Sequence, residues 1–206
     1  VFKMSGKGLG FSGGTIDKLE SIDGFNTTLS KEEAIRLVSK NGIVIMGQSQ
    51  NLTPADKIFY SLRDVTGTVE SIPLIVSSIM SKKLAAGADS IVLDVKCGSG
   101  AFMKDYASAK ELAMGMVEIG RKMNRKITAV ISSMAQPLGN YIGNSLEVIE
   151  AIEVLKGNAK GDLLDVSLTL GACMLKNAEK CNSIEEGRKM LAENIKNGKG
   201  LEKLRE

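Results

Sequence analysis

One segment leaves this chain little architectural freedom. Gly87-Ala88-Asp89 leads into Ser90-Ile-Val-Leu-Asp-Val-Lys96, whose Ile91-Val92-Leu93 centre reads as a buried strand of a mainly parallel sheet. Cys97-Gly98-Ser99-Gly100-Ala101 follows at its C-terminal end, where the ligand loops of open α/β sheets gather. Asp105 to Asn124 is a long amphipathic helix with Ala109, Leu112, Ala113, Met116, Val117 and Met123 inward, and Lys126 to Ile131 is the next strand. Strand, helix and strand in this order form a βαβ unit. The fold class is therefore α/β, a mainly parallel sheet flanked by helices.

The rest of the chain is compatible with that. Its 206 residues suffice for a real core and for one or two domains, and 43% hydrophobic with 25% charged residues is ordinary globular composition. A net charge of +3, scattered lysines and 4% aromatics without Trp do not make a nucleic-acid surface; a small anion such as phosphate suits the charge equally well. Cys97, Cys173 and Cys181 have no zinc spacing and read as reduced thiols of a cytoplasmic protein, with Cys97 a packing thiol rather than a nucleophile. No apolar run is long enough to span a membrane, and Val1-Phe2-Lys3-Met4-Ser5-Gly6 is not a signal peptide. With no histidine, neither a histidine base nor a histidine metal ligand exists in these residues.

Tyr60 to Lys83 holds the most suggestive polar groups. An Arg63-Asp64 pair and Thr66-Gly67-Thr68 precede an apolar helical run. Ser71 fits an N-cap and Pro73 a first helical turn, unless the helix starts near Thr68, in which case Pro73 kinks it. Ser78 and Lys82 lie four apart on one face. They fit a polar ligand, or a helix end whose Lys82 and Lys83 face water and complement the helix dipole.

Residues 5 to 20 are glycine-dense, which lets backbone approach a ligand and aim N–H groups at it. A surface loop capped by Thr15 before a helix at Ile16–Ser21 fits the same residues. Gly8, Gly10 and Gly13 match the dinucleotide spacing, yet too little chain precedes Gly6 to supply the strand that motif needs. Farther on, Ser30-Lys31-Glu32-Glu33 caps a helix that ends at Asn41-Gly42, and Ile43 to Met46 is a short strand. Gly47 to Pro54 is a polar connector and the candidate boundary, followed by a helix from Ala55 through Tyr60. Gln136-Pro137-Leu138-Gly139 is a turn, Asn144-Ser145 caps a helix bearing Glu147 and Glu150, and helices follow at Asp162–Leu175 and Ser183–Lys196. Asn197 to Gly200 reads as a turn, not a P-loop.

In order, the Gly-rich block, Leu-Arg-Asp-Val-Thr, Val-Lys-x-Gly-Ser-Gly-Ala-Phe-Met and Gln-Pro-Leu-Gly resemble the pyrimidine nucleoside phosphorylases over essentially all 206 residues. The resemblance implies phosphorolysis of uridine, thymidine or deoxyuridine by inorganic phosphate, giving free base and (deoxy)ribose 1-phosphate. It implies that Arg63, Ser78 and Lys82 hold the base, with Arg63 and Lys82 stabilising its departing charge. Ser5 and Thr15 would contact phosphate, and Lys3 would lie near the ribose, although an exposed terminal lysine fits as well. Phe11-Ser12 departs from the family's His-Thr, and Cys97 stands where Val is common. A potassium ion would be held by the carbonyls of Leu138 and Tyr141 and by Glu150, although those residues alone read as a plain turn and a solvent-facing glutamate; no organic cofactor is expected. The family's upstream Lys-His-Ser loop and C-terminal α/β region have no match here, so the chain is expected to be an internal piece of a longer, homodimeric enzyme. Residues 1–50 and 88–206 would belong to its α/β domain and 51–87 to a small helical domain, with nucleic acid and membrane not among its partners. A related anthranilate-type phosphoribosyltransferase and a non-catalytic binding scaffold are the alternatives.

Overall fold

The computed structural model describes residues 1–8, 13–47 and 53–206, apart from the side chains of Lys57, Tyr60 and Asp64. Phe11-Ser12 and most of the 47–54 connector lie outside the described residues. The chain divides into two compact units: residues 1–49, 139–164 and 192–206, and residues 50–138 and 165–191.

The second unit is built on the βαβ segment expected from the sequence. β3 (Ser90–Cys97) pairs in parallel with β4 (Lys126–Ser133) over eight residues, from Ser90 opposite Lys126 to Cys97 opposite Ser133. Between them runs α5 (Tyr106–Lys122), opened by Asp105, whose carboxylate accepts from the Ser108 N–H. Ile91, Leu93 and Val95 alternate inward from β3 onto Ala109, Leu112, Ala113 and Met116 of α5. Val76 and Met80 join this core from α4 (Ile72–Ala85), and Cys97 packs at its margin. Removing that apolar surface from water is the main force holding the unit. Gly120 sits where α5 meets β4, and a Cβ there would collide with the Ile127 side chain. α4 starts directly after Ser71 with Pro73 in its first turn, which excludes the kinked alternative; the Ser71 side chain makes no capping bond. The preceding α3 (Pro54–Thr66) runs beyond Tyr60 and takes Arg63 with it, ending at Gly67 with φ 66°. α7 (Asp162–Asn177) and α8 (Ile184–Lys196) follow later in the chain.

In the first unit β1 (Phe2–Ser5) pairs in parallel with β2 (Val44–Gly47), Phe2 opposite Val44. A strand does precede Gly6, contrary to the sequence expectation: the four residues of β1 suffice because β2 supplies their hydrogen-bond partners. α2 (Lys31–Asn41) has the expected capping box, Ser30 and Glu33 bonding each other's backbone N–H groups. Two caps differ from expectation. α1 (Thr15–Leu19) is capped by Asp17, not Thr15; α6 (Asn144–Leu155) is served by Glu147, which accepts from the Gly143 N–H, and not by Asn144-Ser145. In both, a carboxylate inside the first turn outcompetes the residue at its edge. The expected turn at Asn197 to Gly200 narrows to Gly198, φ 77°, and α9 (Lys199–Arg205) begins at once and packs on α6. α1 also packs on α6, where Lys18 pairs with Glu147.

Candidate functional site

α3 and α4 bring three of the expected site residues together. Arg63, in the last turn of α3, is 8% exposed, and its guanidinium donates to the Val69 carbonyl in the link to α4. Ser78 and Lys82 stand one turn apart on α4, as their spacing demands. The Lys82 ammonium donates to the Ser78 hydroxyl at 2.9 Å and to the Ser78 carbonyl at 3.2 Å, and pairs with the Asp56 carboxylate of α3 at 2.7 Å. Lys82 is therefore partly buried and tethered, unlike a lysine that merely ends a helix in water.

Arg63, Ser78 and Lys82 line a cavity of about 380 Å³ whose other wall is formed by Asp94, Val95 and Lys96 at the C-terminal end of β3 and by Phe102 and Met103. A smaller cavity of about 260 Å³ lies on the α3 side, lined by Asp56, Phe59, Ser77 and Ser81, and shares Arg63 and Ser78. Sequence reading missed Asp94 and Lys96. Lys96 Nζ donates to Asp94 at 2.8 Å and to Ser132 Oγ at 2.9 Å, while Ser132 donates to Asp94 at 2.5 Å. Their two-residue spacing, which puts both on one side of the strand, was the available signal. Asp56 gave none, because its partner is 26 positions away on another helix.

Of the remaining site residues, all but Leu138 lie in the first unit. Lys3 is exposed on β1 and Ser5 ends that strand half-buried. Thr15 is the first, exposed residue of α1. The Ile16 N–H donates to the Gly6 carbonyl at 3.4 Å, so Ser5 and Thr15 are each one residue from the bond closing the Gly-rich loop. Gly14 lies so close to the backbone of residues 6 to 8 that a Cβ there would be 2.6 Å from the Gly6 oxygen. Asp17 accepts from the N–H groups of Gly8 at 2.6 Å and Gly14 at 2.8 Å. Those two bonds, foremost the one from Gly8, hold its carboxyl below the ordinary range.

Glu150 on α6 is 8% exposed rather than solvent-facing. It accepts from the Asn140 N–H at 2.8 Å, the Tyr141 N–H at 3.2 Å and the Asn140 side-chain amide at 3.3 Å. The Asn140 N–H is foremost in holding its carboxyl below the usual value, against the opposing effect of burial. A Cβ on Gly139 would collide with that carboxylate. Tyr141 is exposed and Leu138 half-buried. Cys97, Cys173 and Cys181 are free thiols, and burial pushes the Cys173 thiol up. Among the described residues, no helix is long and apolar enough to cross a membrane.

Comparison with known proteins adds the family. The model of the glycosyl transferase family a/b domain matches residues 1–201. The pyrimidine-nucleoside phosphorylase of Staphylococcus epidermidis is 60% identical over 205 residues, 100% of this chain and 47% of that protein. Its Bacillus subtilis counterpart is 60% identical over 206 residues, covering 100% and 48%, and that of Geobacillus stearothermophilus 60% over 202 residues, covering 98% and 47%. The chain thus spans about half the length of the curated relatives it matches. With the a/b-domain match running from its first residue to within five of its last, the chain belongs to the glycosyl transferase family.

Proposed function

We propose that the protein carrying this chain is a pyrimidine-nucleoside phosphorylase, transferring the pentosyl group of uridine, thymidine or deoxyuridine to inorganic phosphate. The observation that carries the reading is the meeting of Arg63, Ser78 and Lys82 on one cavity of about 380 Å³, in a chain 60% identical to enzymes of that name. A pyrimidine edge offers carbonyl oxygens, which a guanidinium, an ammonium and a hydroxyl recognise. As the glycosidic bond breaks, electrons move onto the base, and Arg63 and Lys82 stabilise that charge. Ser5 and Thr15 position phosphate for attack on the anomeric carbon, and Lys3 meets the sugar. No covalent enzyme intermediate is needed, because positioning and electrostatics suffice.

Glu150 fits a part in binding a potassium ion. Its buried carboxylate has no cationic side chain beside it among the described residues and keeps lone pairs beyond its three N–H donors. The carbonyls of Leu138 and Tyr141 would add hard oxygen ligands, and the ion would supply structural rigidity to that turn. Residues 51–87 would contribute to a small helical domain. The exposed Ile58, Phe59, Leu62 and Val65 of α3 support a homodimer of the whole protein, and the free thiols support a cytoplasmic setting.

The test is phosphate-dependent release of uracil from uridine. Arg63→Ala is expected to lower kcat/KM by about 100-fold or more, the scale of removing one donor from a site of developing charge. Unchanged turnover in that variant would overturn the assignment.

A further inference from the structure

The polar contacts behind the base pocket reach one residue further than the family motifs. Asp56 stands in the first turn of α3, where the helix dipole favours a carboxylate, and its side chain is 10% exposed. Its partner at 2.7 Å is Lys82, 26 residues on and on a different helix. A lysine stem is long and its ammonium strongly hydrated, so without a fixed counter-charge it would swing toward water. Here the ammonium is held between Asp56 on α3 and Ser78 on α4. Lys82 can only donate, so it occupies an acceptor site on the Ser78 oxygen, and among the described residues nothing accepts the Ser78 O–H. That proton is left for a ligand in the cavity that Arg63, Ser78 and Lys82 line.

We propose that Asp56 is a positioning residue for base recognition: its carboxylate, buried between α3 and α4, fixes the Lys82 ammonium, and Lys82 in turn orients the Ser78 hydroxyl as a donor toward a carbonyl oxygen of the pyrimidine. The proposal rests on the phosphorylase reading above. It adds a residue that makes no contact with substrate and acts through Lys82.

The test is a double-mutant cycle in the complete protein, with kcat and KM for uridine phosphorolysis and the thermal midpoint recorded for each variant. Asp56→Asn keeps the size and removes the charge. It is expected to lower kcat/KM about 30-fold, the order seen when a positioning contact is lost. In the Lys82→Met background the same change is expected to cost less than about twofold, because the residue through which it acts is gone. The double variant leaves no unpaired buried ion, so it serves even if Asp56→Asn alone fails to fold. Wild-type kcat/KM in Asp56→Asn, or a further loss of about tenfold on adding Asp56→Asn to Lys82→Met, would overturn the role of Asp56 and leave the phosphorylase reading standing. A wild-type protein that releases no uracil from uridine with phosphate would overturn both.

Discussion

The two parallel strand pairs are built on the same geometry and differ in length and in what secures the segments around them. β3 and β4 pair over eight residues, and the inward face of β3 is sealed by α5 and α4 through Ile91, Leu93, Val95, Met80 and Met116. β1 and β2 pair over four residues, and Phe2 on β1 is 40% exposed. Around that short pair the irregular segments are gripped by carboxylates: Asp17 holds two N–H groups of the Gly-rich loop, and Glu150 holds those of the turn at Asn140 and Tyr141. Apolar burial is non-directional and scales with area, so it secures long regular elements. Loops offer little area but many unpaired N–H groups, and a charged acceptor satisfies several of them at once.

Three experiments test this contrast. The largest effect is expected from Met116→Ala in α5, where the side chain is 2% exposed; the loss should be about 3 kcal/mol by chemical denaturation, from transfer and cavity together. A cost below about 1 kcal/mol would mean that this core is not what holds the second unit. Next, Glu150→Ala should cost about 2 kcal/mol, since two backbone N–H groups lose a charged acceptor. The sign of its pH dependence follows from the lowered carboxyl. The stabilisation is full above the ordinary value of 4.5 and disappears as pH falls through the lower folded-state value. Acid titration of wild type should therefore show a loss that Glu150→Ala no longer shows, and identical acid profiles would contradict the carboxylate grip. The smallest effect belongs to Asp17→Asn. Its contribution likewise persists above 3.8 and fades as pH falls through its lowered value. The expected outcome is faster amide exchange at Gly8 and Gly14 with little change in the global midpoint; unchanged exchange would show that the loop is held by its backbone contacts alone.

The same contrast separates what could be read in the chain from what could not. The βαβ segment was legible because its periods, two in the strand and 3.6 in the helix, come from the backbone itself. Ser78 and Lys82 were legible on one face for the same reason, and Pro73 marked the start of α4. The caps of α1 and α6 were misread because Thr15 and Asn144 are favourable cap types by composition, whereas Asp17 and Glu147 reach back to the N–H groups from inside the helix. The C-terminal helix was missed because Gly198 and Gly200 look like a turn. Gly198 does turn the chain, but contact with α6, where Gly200 lies beside Leu155, sustains α9 beyond it.

The α/β class, the central unit and the helical face that presents Ser78 and Lys82 are written in the order of residues, because they follow from local periodicity and from the few conformations open to Gly and Pro. Packing, and not local pattern, pairs Asp56 with Lys82, brings Asp94 and Lys96 to the cavity that Arg63 lines, and turns Glu150 inward onto Asn140 and Tyr141. Each of these joins residues from separate elements or across a turn. A carboxylate shows in the chain only as a charge; its partner is set by which N–H or ammonium the packing leaves within about 3 Å of it.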